Sequence, residues 1–162
     1  MTKRIIYPGT FDPVTNGHLD IVDRALDMFG SLEIAVGENP SKTTLFSQAE
    51  RVALLADSLG DRKNIQIRQF SGLLVDYAGA HEHAILIRGL RAVSDFEYEL
   101  QMAMMNRRLN PLVETIFLMP NYRHIFLSSS IIKDVARHKG DISPFVPEKV
   151  NQALRNKFQE GA

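Results

Sequence analysis

The sequence predicts an α/β fold, an open parallel sheet of about five strands with helices on both faces. Three observations carry that expectation. Short runs rich in Ile, Leu, Val or Phe alternate with segments whose apolar residues recur at helical spacing. The short runs end at Gly, Pro, Asn or charged residues, and the alternation continues through most of the chain. Strands separated by helices return in the same direction, which makes the sheet parallel.

The first strand is residues 4–7, closed by Pro8 and Gly9, and the helix after it has the apolar stripe Leu19, Val22, Leu26 and Phe29. Residues 31–36 form the second strand. Ser47 and Glu50 then fit a capping box, starting a helix whose stripe is Val52, Leu55, Ala56 and Leu59. Residues 65–70, 84–87 and 115–119 are the remaining strands, with Ser94 and Glu97 fitting a second capping box before the last of them. Residues 128–138 and 147–158 close the chain as two helices, the latter with Pro in its first turn.

At 162 residues, without repeats or a linker, the chain is expected to form one domain over 1–162. Nineteen basic residues balance nineteen acidic ones, so no net field exists to gather a nucleic-acid backbone, and nucleic acid is not an expected partner. The absence of cysteine excludes disulfides, zinc-thiolate sites and thiol nucleophiles. The longest apolar run, residues 52–56, is far short of a membrane span. A cytoplasmic protein with no membrane partner is expected.

In sheets of this kind ligands bind beyond the carboxyl ends of the strands, near the point where strand order reverses. That directs attention to "YPGTFDPVTNGH", residues 7–18, which joins the first strand to the first helix. Gly9 and Gly17 would let a ligand approach the backbone, and a helix start favours an anion. His18 adds a donor aimed at the same place. The alternative is structural: Pro8, Gly9, Asp12, Pro13 and Asn16 shape a loop, and His18 caps it.

Together with "NPSK" at 39–42, "LIRGLRAVSDFEYE" at 86–99 and "SSSIIKDVARHKGD" at 128–141, the stretch "GTFDPVTNGH" resembles the signature of the nucleotidylyltransferase superfamily, with its (His or Thr)-x-Gly-His motif. Within it the match is to the phosphopantetheine adenylyltransferase family, and it covers essentially the whole chain. The resemblance implies a Rossmann-like sheet and a reaction in which ATP and 4'-phosphopantetheine give dephospho-CoA and pyrophosphate, usually with Mg2+. It also implies a homohexamer and feedback by CoA. Two other readings stay open: an adenylyltransferase for another phosphate acceptor such as nicotinamide mononucleotide, and a nucleotide-binding module without catalysis.

The residues suit the implied chemistry. A phosphate monoester ionises a second time near pH ~6, so the acceptor needs no side-chain base at neutral pH. What the site must supply is charge stabilisation and alignment. By resemblance, His18 stabilises charge as pyrophosphate leaves, as a donor; a neutral imidazole offers one N–H, and bound polyphosphate would favour the doubly protonated form. Thr10 matches a position contacting acceptor phosphate and ATP, and Phe11 an ATP contact. Lys42 matches the lysine that binds the acceptor phosphate, while Leu74 and Arg88 match acceptor-lining positions. Gly89, Leu90 and Arg91 match ATP contacts, with Arg91 reaching the phosphates, and Glu99 matches an ATP-side position on the next helix.

His124, Ile125, Phe126, Leu127, Ser128, Ser129 and Ser130 match the ATP-binding segment, with Ser129 and Ser130 the preferred phosphate contacts. Thr10, His18, Lys42 and Arg91 are the expected catalytic set. The chain departs from its family at two places: His124 stands where Tyr or Trp often flanks the adenine, and Thr43 and Thr44 stand where Lys or Pro is more usual. No protein metal site is expected, because His81, His83 and His138 form no ligand constellation. Arg91 also has an ordinary reading, as the ion-pair partner of Asp95.

Overall fold

The computed structural model describes residues 3–38, 43–80, 83–91 and 93–159. Five parallel strands form one sheet in the order β3-β2-β1-β4-β5. They are β1 (Arg4–Gly9), β2 (Leu32–Gly37), β3 (Ile65–Phe70), β4 (Ala84–Gly89) and β5 (Val113–Leu118). The helices are α1 (Asn16–Phe29), α2 (Gln48–Leu59), α3 (Leu74–Gly79), α4 (Val93–Leu109), α5 (Ser129–Arg137) and α6 (Glu148–Gln159). From β1 the chain builds outward through β2 and β3, then returns to the other side of β1 for β4 and β5. The order therefore reverses between β1 and β4, where such sheets open a crevice.

Alternation along the strands gives each sheet face its own core. On one face Ile5, Tyr7, Ile34, Val36 and Ile87 pack against Ile21 and Val22 of α1, Leu55 of α2, Ile132 of α5 and Leu154 of α6. On the other, Ile6, Ala35, Ala84, Leu86 and Val113 meet Val75 and Ala78 of α3. Each fully buried Val, Leu or Ile contributes roughly 1.5–3 kcal/mol, so the sheet is a stiff platform for its loops. Strand β2, an inner strand between β3 and β1, is buried throughout, including Glu33. That carboxylate is held by Arg4 at 2.5 Å and by the Tyr77 hydroxyl.

The Ser47–Glu50 capping box opens α2 as the residue pattern anticipates. Helix α4 differs. It begins at Val93, so Ser94 lies inside the first turn rather than ahead of it.

Candidate active site

A cleft of about 900 Å³ opens where β1 and β4 diverge, at their carboxyl ends. A second cavity of about 850 Å³, beside Arg4, Glu33 and Arg68, lies elsewhere and contains none of the expected site residues. Thr10, Phe11, His18, Leu74, Arg88, Gly89, Arg91, Glu99, His124, Leu127, Ser128, Ser129 and Ser130 all line the first. Leu90, Ile125 and Phe126 do not; Leu90 donates its N–H to the Leu118 carbonyl, and Phe126 packs edge-on to Phe145. Lys42 and the rest of "NPSK" lie outside the described residues, as does His81. His83 and His138 are exposed.

The turn after β1 is built around one aromatic ring. Phe11 has φ +50°, a conformation that is strained for a residue with a side chain, and its ring is buried. It meets Tyr7 edge-on at 5.4 Å and His18 at 5.2 Å between ring centres. A Cβ on Gly9 would come within 2.8 Å of that ring. The absent side chain at Gly9 therefore makes room for Phe11, which the reading of this glycine as a ligand approach did not anticipate. Gly17 differs: a Cβ there would make only ordinary contact with the His124 carbonyl oxygen, at 3.4 Å, in the segment carrying the serines. Asp20 holds that segment, accepting the Asn121 N–H at 2.8 Å.

His18 is the third residue of α1 and completes a capping box with Thr15. The Thr15 hydroxyl accepts the His18 backbone N–H at 3.4 Å, and His18 Nδ1 accepts the Thr15 backbone N–H at 3.0 Å. An amide N–H can only donate, so Nδ1 must be unprotonated and the ring proton sits on Nε2. Burial holds the imidazole pKa down to about 4, with the charges of Arg91 and Arg88 adding to the effect. In the free protein His18 is thus a neutral donor, and its capping reading is borne out by the bonds to Thr15. The doubly protonated ring would have to give up the Thr15 bond.

Each described cation lining the cleft is paired with a carboxylate. Arg88 grips Glu99 through Nε at 2.8 Å and Nη2, and donates Nη1 to the Pro8 carbonyl at 2.9 Å. Arg91 lies 3.3 Å from Asp95, its ordinary ion-pair reading, and also donates to the Leu127 carbonyl at 3.0 Å. Lys133 reaches the buried carboxylate of Asp12 at 2.5 Å. Helix α5 starts at the Ser128 cap, whose hydroxyl accepts the Ile131 N–H. Ser129 donates its hydroxyl to the Pro13 carbonyl at 2.8 Å, which draws the serine turn against the loop after β1.

Two further residues, Arg51 and Lys133, shape the cleft without having stood out in the sequence, and Asp12 does more than the loop shaping expected of it. Arg51 of α2 is buried, and its Nη1 donates to the carbonyls of Thr10, at 2.5 Å, and Gly37, at 2.9 Å. It ties together the carboxyl ends of β1 and β2. Lys133 acts through its bond to Asp12. The capping-box rule would have reached Thr15 had it allowed histidine in the glutamate position; for Arg51 and for the pairing of Asp12 with Lys133 no local signal exists.

The family model described as cytidylyltransferase-like matches residues 6–135. The chain is also 54% identical over 152 residues to the phosphopantetheine adenylyltransferase of Alkaliphilus metalliredigens (strain QYMF), covering 94% of this chain and 97% of that protein. The chain is a cytidylyltransferase-like protein of the phosphopantetheine adenylyltransferase family. A solved structure of a Vibrio parahaemolyticus protein assigned as a nicotinate-nucleotide adenylyltransferase superposes with a TM-score of 0.68 over 99% of this chain and 97% of that one, at 16% identity. That likeness is one of fold: the doubly wound sheet extends well beyond the phosphopantetheine adenylyltransferase family.

Among the described residues no helix is long and apolar enough to cross a membrane, and no group of three or more His, Cys, Asp or Glu is placed to hold a metal.

Proposed function

We propose that the whole chain works as one nucleotidylyltransferase unit that transfers the adenylyl group of ATP to 4'-phosphopantetheine, giving dephospho-CoA and pyrophosphate. An oxygen of the acceptor phosphate attacks the α-phosphorus in line, the bond to the β-phosphate oxygen breaks, and pyrophosphate leaves with the electron pair. The observation that carries this reading is the state of His18. Its Nδ1 is engaged by Thr15, so it offers a fixed N–H and no base, which is what a reaction with an already ionised nucleophile requires. The choice of acceptor follows the relative that is 54% identical.

The neighbouring groups take complementary parts. Arg91, the Ser130 hydroxyl and the backbone amides of Ser129 and Ser130 hold the polyphosphate, the amides at the positive end of α5. Thr10 lies between the two reacting phosphates, and Lys42 receives the acceptor phosphate as a point charge. Leu74 and the Arg88–Glu99 pair border the remainder of the acceptor and the nucleotide. His124 stacks on the adenine.

Mg2+ fits this cleft as an ion carried on ATP. Of the carboxylates lining the cleft, Asp12, Asp95 and Glu99 are each engaged by a cation and Glu38 stands apart from them, so no cluster of carboxylates is placed to hold the ion; Mg2+ commonly takes its oxygens from substrate phosphates and water. When bound it neutralises phosphate charge and polarises the group under attack.

Helix α4 supports assembly into a homohexamer. Tyr98, Met104, Met105 and Leu109 are exposed on it, at 55–66% of their surface, more apolar area than one helix normally gives to water. A cytoplasmic location and feedback by dephospho-CoA or CoA at the acceptor side complete the reading. A coupled assay for pyrophosphate with ATP, Mg2+ and 4'-phosphopantetheine tests it, and turnover with nicotinamide mononucleotide but not with 4'-phosphopantetheine would reject it. Sedimentation tests the assembly.

A further inference from the structure

The carboxylate of Asp12 is 4% exposed and accepts three hydrogen bonds from two distant parts of the chain. Oδ1 takes the Phe46 N–H at 2.9 Å, and Oδ2 takes the Leu45 N–H at 2.9 Å and the Lys133 ammonium at 2.5 Å. Leu45 and Phe46 lie just ahead of Ser47, the cap of α2, so their N–H groups have no helical partner and Asp12 supplies one. Lys133 lies on α5, on the same helix face as Ser129 and Ser130, being four and three residues further on.

We propose that Asp12 is a positioning residue for adenylyl transfer: it fixes the acceptor-side segment 43–46 against the turn carrying Thr10 and against the serine turn of α5. The inference rests on the reading of the cleft given above. With both oxygens filled, the carboxylate acts through the groups it holds.

The two held parts are not equally secured. Helix α5 is also anchored by buried Ile132, by the Ser128 cap and by the bond from Ser129 to Pro13. Segment 43–46 is held by the buried Phe46 ring and, through its backbone, by the Leu45 and Phe46 N–H groups, both of which bond to Asp12. Weakening Asp12 therefore costs α5 only the Lys133 contact, whereas it frees two backbone groups of the acceptor side. Thr43 and Thr44, which line the cleft just before those bonds, move with it.

Asp12→Asn isolates the effect, because an amide has one accepting oxygen. If its NH2 takes the Oδ1 place it opposes the Phe46 N–H, and if it takes the Oδ2 place it opposes the Leu45 N–H and Lys133. Either way a donor faces a donor.

The test is calorimetric binding of α,β-methylene-ATP with Mg2+, and of 4'-phosphopantetheine to the protein saturated with that analogue. Thermal unfolding is followed in parallel. For Asp12→Asn we expect acceptor affinity to fall about ten-fold or more while analogue affinity stays within about three-fold, since a displacement of an ångström is enough to misplace a reactant. A folded variant that binds the acceptor like the wild type, or that loses both ligands equally, overturns the proposal. If Asp12→Asn does not fold, Asp12→Glu decides: it keeps the charge for Lys133 but moves the oxygens, so selective loss of the acceptor supports the role and wild-type binding refutes it. Wild-type protein that does not bind 4'-phosphopantetheine at all would instead remove the functional reading, and this inference with it.

Discussion

The backbone N–H of Thr15 points at Nδ1 of His18, 3.0 Å away. One hydrogen bond therefore closes the first turn of α1 and also determines which nitrogen of the imidazole carries the proton. The proposed chemistry and the helix capping share a side chain here, and the consequences can be separated by experiment.

Replacing His18 with Ala should lower kcat about a hundred-fold or more, the usual effect of removing a donor aimed at developing charge. ATP affinity should stay within about three-fold, because the interaction strengthens mainly in the transition state. Loss of the capping box should cost about 1 kcal/mol of stability. Steady-state kinetics, ATP titration and chemical denaturation read the three quantities, and parallel losses in kcat and ATP affinity would contradict the assignment.

The folded pKa of His18 is about 4, below its ordinary 6.5. Between those values the unfolded chain binds a proton that the folded one does not, so stability rises with pH across the window. The contribution of neutral His18 is complete above about pH 6.5 and is lost as pH falls toward 4. Nuclear magnetic resonance of the ring should show Nδ1 unprotonated at pH 5.5, and His18→Gln should flatten the pH dependence of unfolding across this range. A His18 titrating near 6.5 in the free protein would refute it.

A methyl group at position 9 would lie 2.8 Å from Cε2 and Cζ of Phe11. That ring is confined by Tyr7 and His18 and has little room to yield. Gly9→Ala should destabilise the protein by about 1–3 kcal/mol through overpacking and disturb the turn that carries Thr10. Thermal unfolding and acceptor KM measure the two effects; unchanged values in both would contradict the packing role.

Asp95 holds Arg91 at 3.3 Å in a partly exposed pair, and such pairs are weak. Asp95→Asn releases the guanidinium and removes a negative charge near the polyphosphate, so ATP should bind about two- to five-fold more tightly. The gain should shrink with added salt. Weaker ATP binding in the variant would show that Asp95 orients Arg91 rather than competing for it.

Much of this architecture was legible in the residues. The alternation of apolar runs and helical stripes marks all five strands, and Ser47 with Glu50 marks the start of α2, because hydrophobic period and capping are local properties. The site was legible chiefly through its motif: His18, Arg91 and the serines do converge on one cleft. Gly9 shows the limit. Its position is evident, but that it accommodates Phe11 depends on a ring orientation set by the strained backbone two residues later. Arg51 and the pairing of Asp12 with Lys133 were beyond reach for another reason. Lys133 stands 121 residues from Asp12, and Arg51 stands 41 residues from Thr10; no periodicity or spacing rule connects partners that only the folded sheet brings together.

The divergence of the chain on either side of β1 has an evolutionary corollary. In the proposed function the adenylate socket leans on one flank, made by β4 and the start of α5, and the incoming phosphate leans on the other, made by the stretch from β2 to α2. Exchanging the second flank could retune what is adenylylated while leaving the socket intact. A scaffold divided in this way is suited to diversify by swapping one wall at a time.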